Sequence, residues 1–282
     1  FFPLHHGYTT GACATAAAKA ALTALLSKEE QTAASITLPS GEIITLPVTA
    51  TEWDSDSATC SVIKDAGDDP DVTNGSMIVA NVAFSTASND ALVRFVAGPG
   101  VGTVTLPGLG LEVGGPAINT TPRKMITDEL AAVLQAFRQN NPAAKHLPPS
   151  PGLTVTISVP GGEELAARTF NPKLGIVGGI SIIGTSGIVR PFSTDAFIAS
   201  IRKEAEVAKA IGCRTLVINS GAKSERYLKA RYPELPPQAF VHYGNFIGET
   251  LKIASALSFE QVVMGIMIGK AVKLAEGFLD TH

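Results

Sequence analysis

Three short segments that are rich in glycine and small polar residues have the composition of ligand-binding loops. They read GGISIIGTSGIVRP at residues 178–191, NSGAK at 219–223 and HYGN at 242–245. Each begins after a predicted strand, and open parallel sheets bind ligands beyond the carboxyl ends of their strands. Glycine lets the backbone approach a ligand closely, and small polar side chains hydrogen-bond ribose, adenine or carboxylate groups. We therefore expect the three segments to meet at one sheet edge, although glycines that only make turns are the alternative.

The first segment argues against one kind of cofactor and leaves another open. Residues 179–186 have the outline of a phosphate-binding loop, but Thr185 occupies the position where that loop needs lysine, so a triphosphate is not an expected ligand. The segment also lacks the G-x-G-x-x-G spacing of a dinucleotide-binding loop. A nicotinamide-dependent enzyme that uses the same loops stays open as an alternative, without a motif that supports it.

Charged residues supply further candidates. Arg123 and Lys124 stand just before a predicted helix, and a ligand with several carboxylates needs such cations because bidentate arginine contacts provide energy and orientation. Ordinary surface charge is the alternative. The acidic loop that contains Asp65 lacks the calcium-loop spacing, so no metal site is expected. Of the five histidines, only His242 ends a strand where a site is expected, which makes it the candidate for a general base.

These candidates need elements to position them, and the pattern of strands and helices changes along the chain. Residues 1–165 combine predicted strands with two helices, the second capped by Thr127, which indicates an α+β domain. Residues 166–282 alternate strand and helix, which indicates an α/β domain with a mainly parallel sheet. Ser258 and Gln261 form a capping-box pattern and predict a long final helix.

Composition argues against several classes of protein. The 282-residue chain is 45% hydrophobic and 17% charged, with a formal net charge of −3, so it fits a folded protein and lacks the basic excess of nucleic-acid-binding proteins. No apolar run approaches the roughly 18 residues that a membrane-spanning helix needs. The three cysteines are widely spaced, which favours reduced thiols in the cytoplasm over disulfides or a zinc site.

Several long motifs resemble one enzyme family. They are GYTTGACATAAAKAAL at 7–22, KDAGDDPDVTNG at 64–75, NPKLGIVGGISIIGTSGIVRPFS at 171–193, HYGNFIGETLKIA at 242–254 and GKAVKLAEGFLDTH at 269–282. In this order, and over nearly the whole chain, they resemble the cobalt-precorrin-5B C-1-methyltransferases of anaerobic cobalamin biosynthesis. Members of that family usually extend past the C-terminus of this sequence, so the chain looks truncated.

The resemblance implies that a methyl group passes from the cofactor S-adenosylmethionine to carbon C-1 of a cobalt-containing tetrapyrrole. The substrate brings the cobalt, so the protein itself needs no metal site. A nicotinamide-dependent corrinoid reductase and a non-catalytic corrinoid-binding pathway protein are the alternatives. The implied partners are small molecules, without nucleic acid or membrane, and a homo-oligomer stays open.

The candidate site residues divide between the two predicted domains. We expect the substrate side in residues 1–165 and the S-adenosylmethionine side in residues 166–282. Substrate-binding candidates are Thr9, Thr10, Asp65, Arg123 and Lys124. Cofactor-binding candidates are Gly178, Gly179, Gly184, Thr185, Ser186, Gly187, Asn219, Ser220, Gly221 and Asn245, and the catalytic candidate is His242.

Overall fold

The structure is a computed structural model that describes residues 4–85, 92–141 and 152–278. Its internal contacts define two compact units. The first is built from parts of 1–104, 111–172 and 176–192, and the second from parts of 105–110, 173–175 and 193–282. The division after residue 192 differs from the sequence-based division after 165, because segment 176–192 pairs with strands of the first unit.

The first unit holds most of the strands. In chain order its elements are β1 (Gly7–Tyr8), α1 (Thr10–Ser27), β2 (Ala33–Thr37), β3 (Ile43–Pro47), β4 (Ala50–Trp53), β5 (Ser57–Ile63), β6 (Met77–Ser85), β7 (Val93–Ala97), β8 (Gly100–Val101), β9 (Thr103–Val104), α2 (Thr120–Asn140), β10 (Gly152–Ser158), α3 (Gly162–Ala166), β11 (Ile176–Val177), β12 (Gly179–Ile180) and β13 (Ile188–Val189).

The main sheet of the first unit has the strand order β4-β5-β6-β10-β7. Neighbouring strands are antiparallel except β10 and β7, which are parallel. Alternate residues of β10 are buried, as expected for a sheet with one covered face. α1 packs against β5 and β6 on that face. Ala14, Ala16, Ala17 and Ala18 of α1 have no exposed surface, and their small side chains let the helix lie close to the sheet.

Both long helices of the first unit begin after polar residues. Thr9 Oγ1 accepts a hydrogen bond from the backbone N–H of Ala12, in the first turn of α1, at 3.2 Å, so Thr9 caps this helix. α2 begins at Thr120, after Asn119, so the prediction that Thr127 caps this helix was wrong. Thr127 instead donates its hydroxyl to the carbonyl of Arg123 at 2.8 Å, a bond that threonine often makes inside helices.

The second unit is a small parallel assembly of strands and helices. Its elements are α4 (Thr194–Ala210), β14 (Thr215–Asn219), α5 (Ala222–Arg231), a 3₁₀ turn (Pro237–Ala239), β15 (Phe240–His242), α6 (Ile247–Ala256), β16 (Gln261–Gly265) and α7 (Ile268–Ala275). The strand order is β15-β14-β16, and both pairs are parallel. α5 packs against all three strands, and α4 packs against β15 and α6. The protein is therefore a mixed α/β fold, and no helix among the described residues is long and apolar enough to cross a membrane.

The final segment differs from its prediction. Ser258 follows α6 and has a φ of 56°, the left-handed conformation common just after a helix, so it does not cap a new helix. Residues 261–265 form β16, where the β-branched Val262 and Val263 pair with β14. The expected long helix is replaced by β16 and the short α7, because strand pairing outweighs a local capping pattern.

Candidate functional site

Two of the three predicted loops lie at the carboxyl edge of the second-unit sheet. β14 ends at Asn219 and β15 ends at His242, and the two residues are register partners in parallel strands. Gly265, the last residue of β16, is the partner of Asn219 on the other side. The loops after these strands therefore share one edge, where ligands of open sheets bind. We call the following set the carboxyl-edge site: Asn219, Ser220, Gly221, His242, Tyr243, Gly244, Asn245, Gly265 and Lys270.

Asn219 fixes the first loop of the carboxyl-edge site. It is fully buried, its Nδ2 donates to the carbonyl of Val241 at 3.1 Å, and its Oδ1 accepts from the backbone N–H of Gly221 at 3.2 Å. The backbone N–H of Ser220 donates to Ser224 Oγ at 3.2 Å, and the two hydroxyls lie 3.3 Å apart. These bonds hold the loop against the first turn of α5, so the amide of Asn219 is occupied by the chain itself.

His242 carries a buried polar atom whose hydrogen-bonding capacity is not used by the described residues. Its Nε2 is buried and makes no hydrogen bond with any described residue. A β-carbon added at Gly221 would lie 3.7 Å from this nitrogen, so the two loops meet here. Phe197 of α4 packs with its ring edge-on to the imidazole, at 6.1 Å between centroids. A buried polar group that lacks a partner costs about 1–3 kcal/mol. The nitrogen is therefore a candidate for contact with a ligand.

Two side chains of the carboxyl-edge site were missed by the sequence analysis. Tyr243 Oη donates to the last carbonyl of β16 at 3.3 Å and interacts with Ser220, and burial raises the pKa of this tyrosine. Lys270 Nζ donates to the carbonyl of Gly244 at 2.7 Å and to Oδ1 of Asn245 at 2.6 Å. Lys270 thus brings a positive charge to the edge. Recognising β16 as a strand would have placed this lysine just beyond a third carboxyl end.

A buried ion pair lies in the same unit near the imidazole. Glu204 of α4 is 3% exposed and pairs with Lys173. Burial raises the pKa of Glu204, while the charges of Lys173 and, more weakly, His242 oppose that rise. A carboxylate at this depth is tolerable only with such a partner. The pair therefore supports α4, the helix from which Phe197 contacts His242.

The first predicted loop lies in the first unit, so the expectation that all three loops share one sheet edge is wrong. There β12 pairs with β8, and β13 pairs with β1. Gly178 has a φ of 85° and open space where a β-carbon would stand. Thr185 and Ser186 are exposed, and the Ser186 hydroxyl donates to the carbonyl of Ile188 at 3.1 Å. A local pattern predicts a strand but not which sheet the strand joins.

Close packing explains the other glycines of this loop. A β-carbon at Gly184 would stand 2.2 Å from Thr9 Oγ1, and one at Gly187 would stand 2.5 Å from Leu38 Cδ2. A β-carbon at Gly179 would come within 2.3 Å of the backbone of β8. All three distances are far below van der Waals contact, so the fold itself requires glycine here. The turn-and-packing alternative therefore accounts for these positions without a ligand.

The substrate-side candidates Thr9, Thr10 and Asp65 lie in the first unit. Thr10 Oγ1 accepts from the backbone N–H of Ile183 at 2.9 Å, so both threonine hydroxyls are used by the chain around the start of α1. Asp65 is exposed, and its Oδ1 accepts from the N–H of Gly67 at 2.8 Å. Of these three side chains, the carboxylate of Asp65 is the polar group most available to a ligand.

A buried ion pair anchors the acidic loop and was not predicted. The side chain of Lys64 is 1% exposed, and its Nζ lies 2.7 Å from Asp71 Oδ2. Asp71 Oδ1 accepts from the N–H of Thr73 at 2.8 Å and from its hydroxyl at 2.6 Å. Burial would raise the pKa of Asp71, but the hydrogen bonds from Lys64 and Thr73 outweigh it and the net pKa is lowered. The loop is therefore held by charge at its centre.

Arg123 and Lys124 occupy different environments on α2. Arg123 Nε donates to the carbonyl of Ile118 at 2.7 Å, Nη2 donates to the carbonyl of Pro116 at 3.1 Å, and the guanidinium lies 5.2 Å from the ring centroid of Phe95. Burial lowers the pKa of Arg123. Lys124 has a side chain that is 76% exposed and pairs with Asp128 one turn away. Arg123 therefore holds the preceding loop, and Lys124 is a surface charge.

The thiols show no metal or disulfide chemistry. Cys13, Cys60 and Cys213 are free and buried, and burial raises the pKa of Cys13 to about 12. Within residues 4–85, 92–141 and 152–278, no cluster of three or more His, Cys, Asp or Glu side chains could hold a metal ion.

Comparison with known proteins decides the family. The family model described as CbiD matches residues 2–191. This chain belongs to the CbiD family. Similar proteins named cobalt-precorrin-5B C(1)-methyltransferase include one from Geobacillus thermodenitrificans (strain NG80-2), 47% identical over 99% of this chain and 72% of the relative. Another is from Prosthecochloris aestuarii (strain DSM 271 / SK 413), 48% identical over 98% of this chain and 73% of the relative.

A solved CbiD structure is also similar. It is the crystal structure of a cobalamin biosynthesis protein (cbiD) from Archaeoglobus fulgidus, with 28% sequence identity and a TM-score of 0.51, covering 99% of this chain and 82% of that one. The family match ends at residue 191, next to the last residue of the first unit. The resemblance that the motifs carry is thereby confirmed at the level of the family.

Proposed function

We propose that this chain transfers a methyl group from S-adenosylmethionine to carbon C-1 of cobalt-precorrin-5B, giving cobalt-precorrin-6A in anaerobic cobalamin biosynthesis. The observation that carries this proposal is the identity of 47% over 99% of the chain to a relative of that name. Local patterns alone left a nicotinamide-dependent reductase and a non-catalytic corrinoid-binding protein open. The G-x-G-x-x-G motif of dinucleotide-binding loops does not appear in the segments 178–191, 219–223 or 242–245. The methyltransferase is therefore the function that fits best.

The carboxyl-edge site fits the methyl donor. S-adenosylmethionine supplies a methyl group on a positively charged sulfur and carries adenine, ribose hydroxyls, an ammonium and a carboxylate. The buried Nε2 of His242 has no hydrogen-bond partner among the described residues, and the backbone at Gly221 lies close to it. Lys270 and Asn245 add a charge and an amide at the same edge. We assign the donor to Ser220, Gly221, His242 and Asn245, with Asn219 fixing the loop.

The first-unit loop is not part of this assignment. Its glycines meet Thr9, Leu38 and the backbone of β8 rather than open space, with Gly178 as the exception. We propose the first unit as the substrate side. There Asp65 and Lys124 have exposed charged groups, while the side chains of Thr9, Thr10 and Arg123 are hydrogen-bonded to the backbone.

The chain's own residues mainly bind, orient and exclude water in this reaction. Holding two reactants in line supplies about 7–11 kcal/mol in favourable cases, and the substrate carbon is itself the nucleophile. His242 is the candidate to hold or accept a proton at Nε2, and a general base typically adds about 10²–10⁴-fold. We therefore expect no side chain to be indispensable in the way that a nucleophilic serine is.

A transfer assay tests the proposal. The protein is incubated without oxygen with cobalt-precorrin-5B and donor carrying an isotopically labelled methyl group, and label in the corrinoid is followed by mass spectrometry. Transfer of one label to C-1 is the expected result. In a parallel incubation with reduced nicotinamide cofactor, oxidation of that cofactor with no label transfer would establish the reductase instead. Corrinoid binding without affinity for S-adenosylhomocysteine would establish the non-catalytic binder.

A further inference from the structure

Phe192, the last residue of the first unit, combines two features that oppose folding. Its φ is 55°, in the left-handed region that residues with a β-carbon avoid. Phe192 is also 72% exposed, so its ring gains little from packing. Among the described residues the other non-glycine positions with positive φ are Lys28 and Ser258, and both follow helices, where this conformation is common. Phe192 instead precedes the cap of α4, where nothing in the helix requires it.

The acidic loop bonds the backbone of Phe192 in this conformation. The backbone N–H of Phe192 donates to Asp69 Oδ1 at 3.1 Å. Asp69 lies in the loop whose centre is held by the buried Lys64–Asp71 pair. The backbone N–H of His5 donates to Asp68 Oδ2 at 2.6 Å, which ties the same loop to the N-terminal segment. Strained backbone that surrounding bonds maintain is found more often at functional sites, so this outlier motivates a functional hypothesis.

We propose that Phe192 is a substrate-contact residue whose ring packs against a face of the corrinoid macrocycle, with Asp69 as its positioning residue. This inference rests on the proposed function. A tetrapyrrole is a broad ring system that carries carboxylate side chains, and an exposed aromatic ring can stack on such a surface. Arg190, two residues earlier, is exposed and makes no hydrogen bond or ion pair with a described residue, so its cation is available for a carboxylate.

The test uses two substitutions that remove the ring but treat the backbone differently. Phe192→Ala retains the β-carbon and the strain, whereas Phe192→Gly removes both. The control is Phe170→Ala, since Phe170 is another exposed phenylalanine of the first unit, at 47%. Binding of anaerobically prepared cobalt-precorrin-5B is measured by absorbance titration, S-adenosylhomocysteine binding by calorimetry, and Tm by thermal unfolding. KM and kcat are measured separately.

We expect both Phe192 variants to weaken corrinoid binding and raise KM by roughly 5- to 100-fold, the range of an aromatic stacking contact. S-adenosylhomocysteine affinity stays unchanged in both, and Phe170→Ala stays near wild type throughout. The Tm of Phe192→Gly stays level or rises by about 2–4 °C, because relief of backbone strain offsets the extra freedom of glycine in the unfolded chain. Lost affinity with retained stability is a combination that a purely structural phenylalanine would not give.

Asp69 is tested in the same assays. Asp69→Ala removes the acceptor for the Phe192 N–H and is expected to raise KM for the corrinoid. Asp69→Asn retains an acceptor oxygen and is expected to have a KM near that of wild type. Corrinoid affinity of Phe192→Gly within twofold of wild type would overturn the inference while leaving the proposed function intact. A wild-type protein that transfers methyl groups to no corrinoid and binds none would overturn both.

Discussion

The buried pair of Lys64 and Asp71 shows how one charge contact can organise a loop. Lys64 has almost no exposed surface, so its ammonium depends on Asp71 for the interactions that water would otherwise provide. Asp71 Oδ1 in turn accepts hydrogen bonds from the backbone N–H and the hydroxyl of Thr73. Removing one member leaves a buried charge without compensation, which is the costly way to break such a pair.

We predict that Asp71→Asn lowers the free energy of unfolding by about 3–5 kcal/mol, whereas Lys64→Met with Asp71→Leu costs much less because no charge is left buried. The matched control is Asp128→Asn, which breaks the exposed pair with Lys124 and should change stability by about 0–1 kcal/mol. Urea unfolding of the four proteins measures the differences. Equal losses in the Asp71 and Asp128 variants would contradict the structural role assigned to burial.

The same pair predicts a pH dependence. Because the folded-state pKa of Asp71 lies below its ordinary value of 3.8, its stabilisation is present above that value and is lost as pH falls through the folded-state pKa. Wild type should therefore lose stability on acidification below about pH 4 more steeply than Asp71→Asn. Urea midpoints measured from pH 6 to pH 2.5 test this. Parallel curves for the two proteins would show that the Asp71 pKa is unshifted.

We expect removal of the His242 imidazole to weaken donor binding without unfolding the protein. Its Nε2 makes no hydrogen bond with any residue that the structure describes, so a ligand that bonds it gains the contact without displacing one of those bonds. We expect His242→Ala to weaken S-adenosylhomocysteine binding by roughly tenfold, the value of one good hydrogen bond, while turnover stays measurable. His5→Ala is the control, since His5 is exposed in the first unit. Unchanged calorimetric affinity in folded His242→Ala would remove His242 from the donor site.

At the scale of the elements, the stability of α1 depends on the residue that caps its N-terminus. Thr9 caps the helix, and the backbone N–H of Thr9 donates to the carbonyl of Gly187 at 3.0 Å, so one residue joins the helix to a distant loop. We predict that Thr9→Ala costs about 1 kcal/mol of stability and that Thr9→Ser costs little. Thr23→Ala in the same helix is the control, because the Thr23 hydroxyl only donates to the carbonyl of Lys19 one turn back. A Thr23→Ala loss as large as that of Thr9→Ala would contradict the capping argument.

Elements with strong local signals were predictable. The sequence predicts a short buried strand at 215–219 and a helix at 222–231, and the structure has β14 and α5 at these positions. Ser258 is the counterexample: its capping-box pattern is genuine, but residues 261–265 find a parallel partner in β14. Pairing partners lie far away in sequence, so a pattern of four residues carries no information about them. The same reason hid Lys270, which reaches the site only because β16 is a strand.

At the scale of the molecule, the glycine-rich loop at 178–191 and the loops at 219–223 and 242–245 lie in different units. Sequence analysis grouped residues 178–191 with 219–223 and 242–245 because all three follow strands. Pairing of β12 and β13 with strands of the first unit separates the first region from the other two. Family resemblance still gave the correct family, since long motifs identify relatives without any knowledge of which strands pair.

This separation predicts where a bound donor analogue protects the backbone. S-adenosylhomocysteine at about 100 times its Kd stabilises the protein by about 2.7 kcal/mol if it binds the folded state alone. Hydrogen exchange should then slow in the peptides that span 219–221 and 242–245, because the ligand restrains the loops it contacts, and should stay unchanged at 184–187. His242→Ala at the same ligand concentration is the control and should show less protection at both edge loops. Protection confined to 184–187 would move the donor site into the first unit and show that the His242 imidazole does not contact the donor.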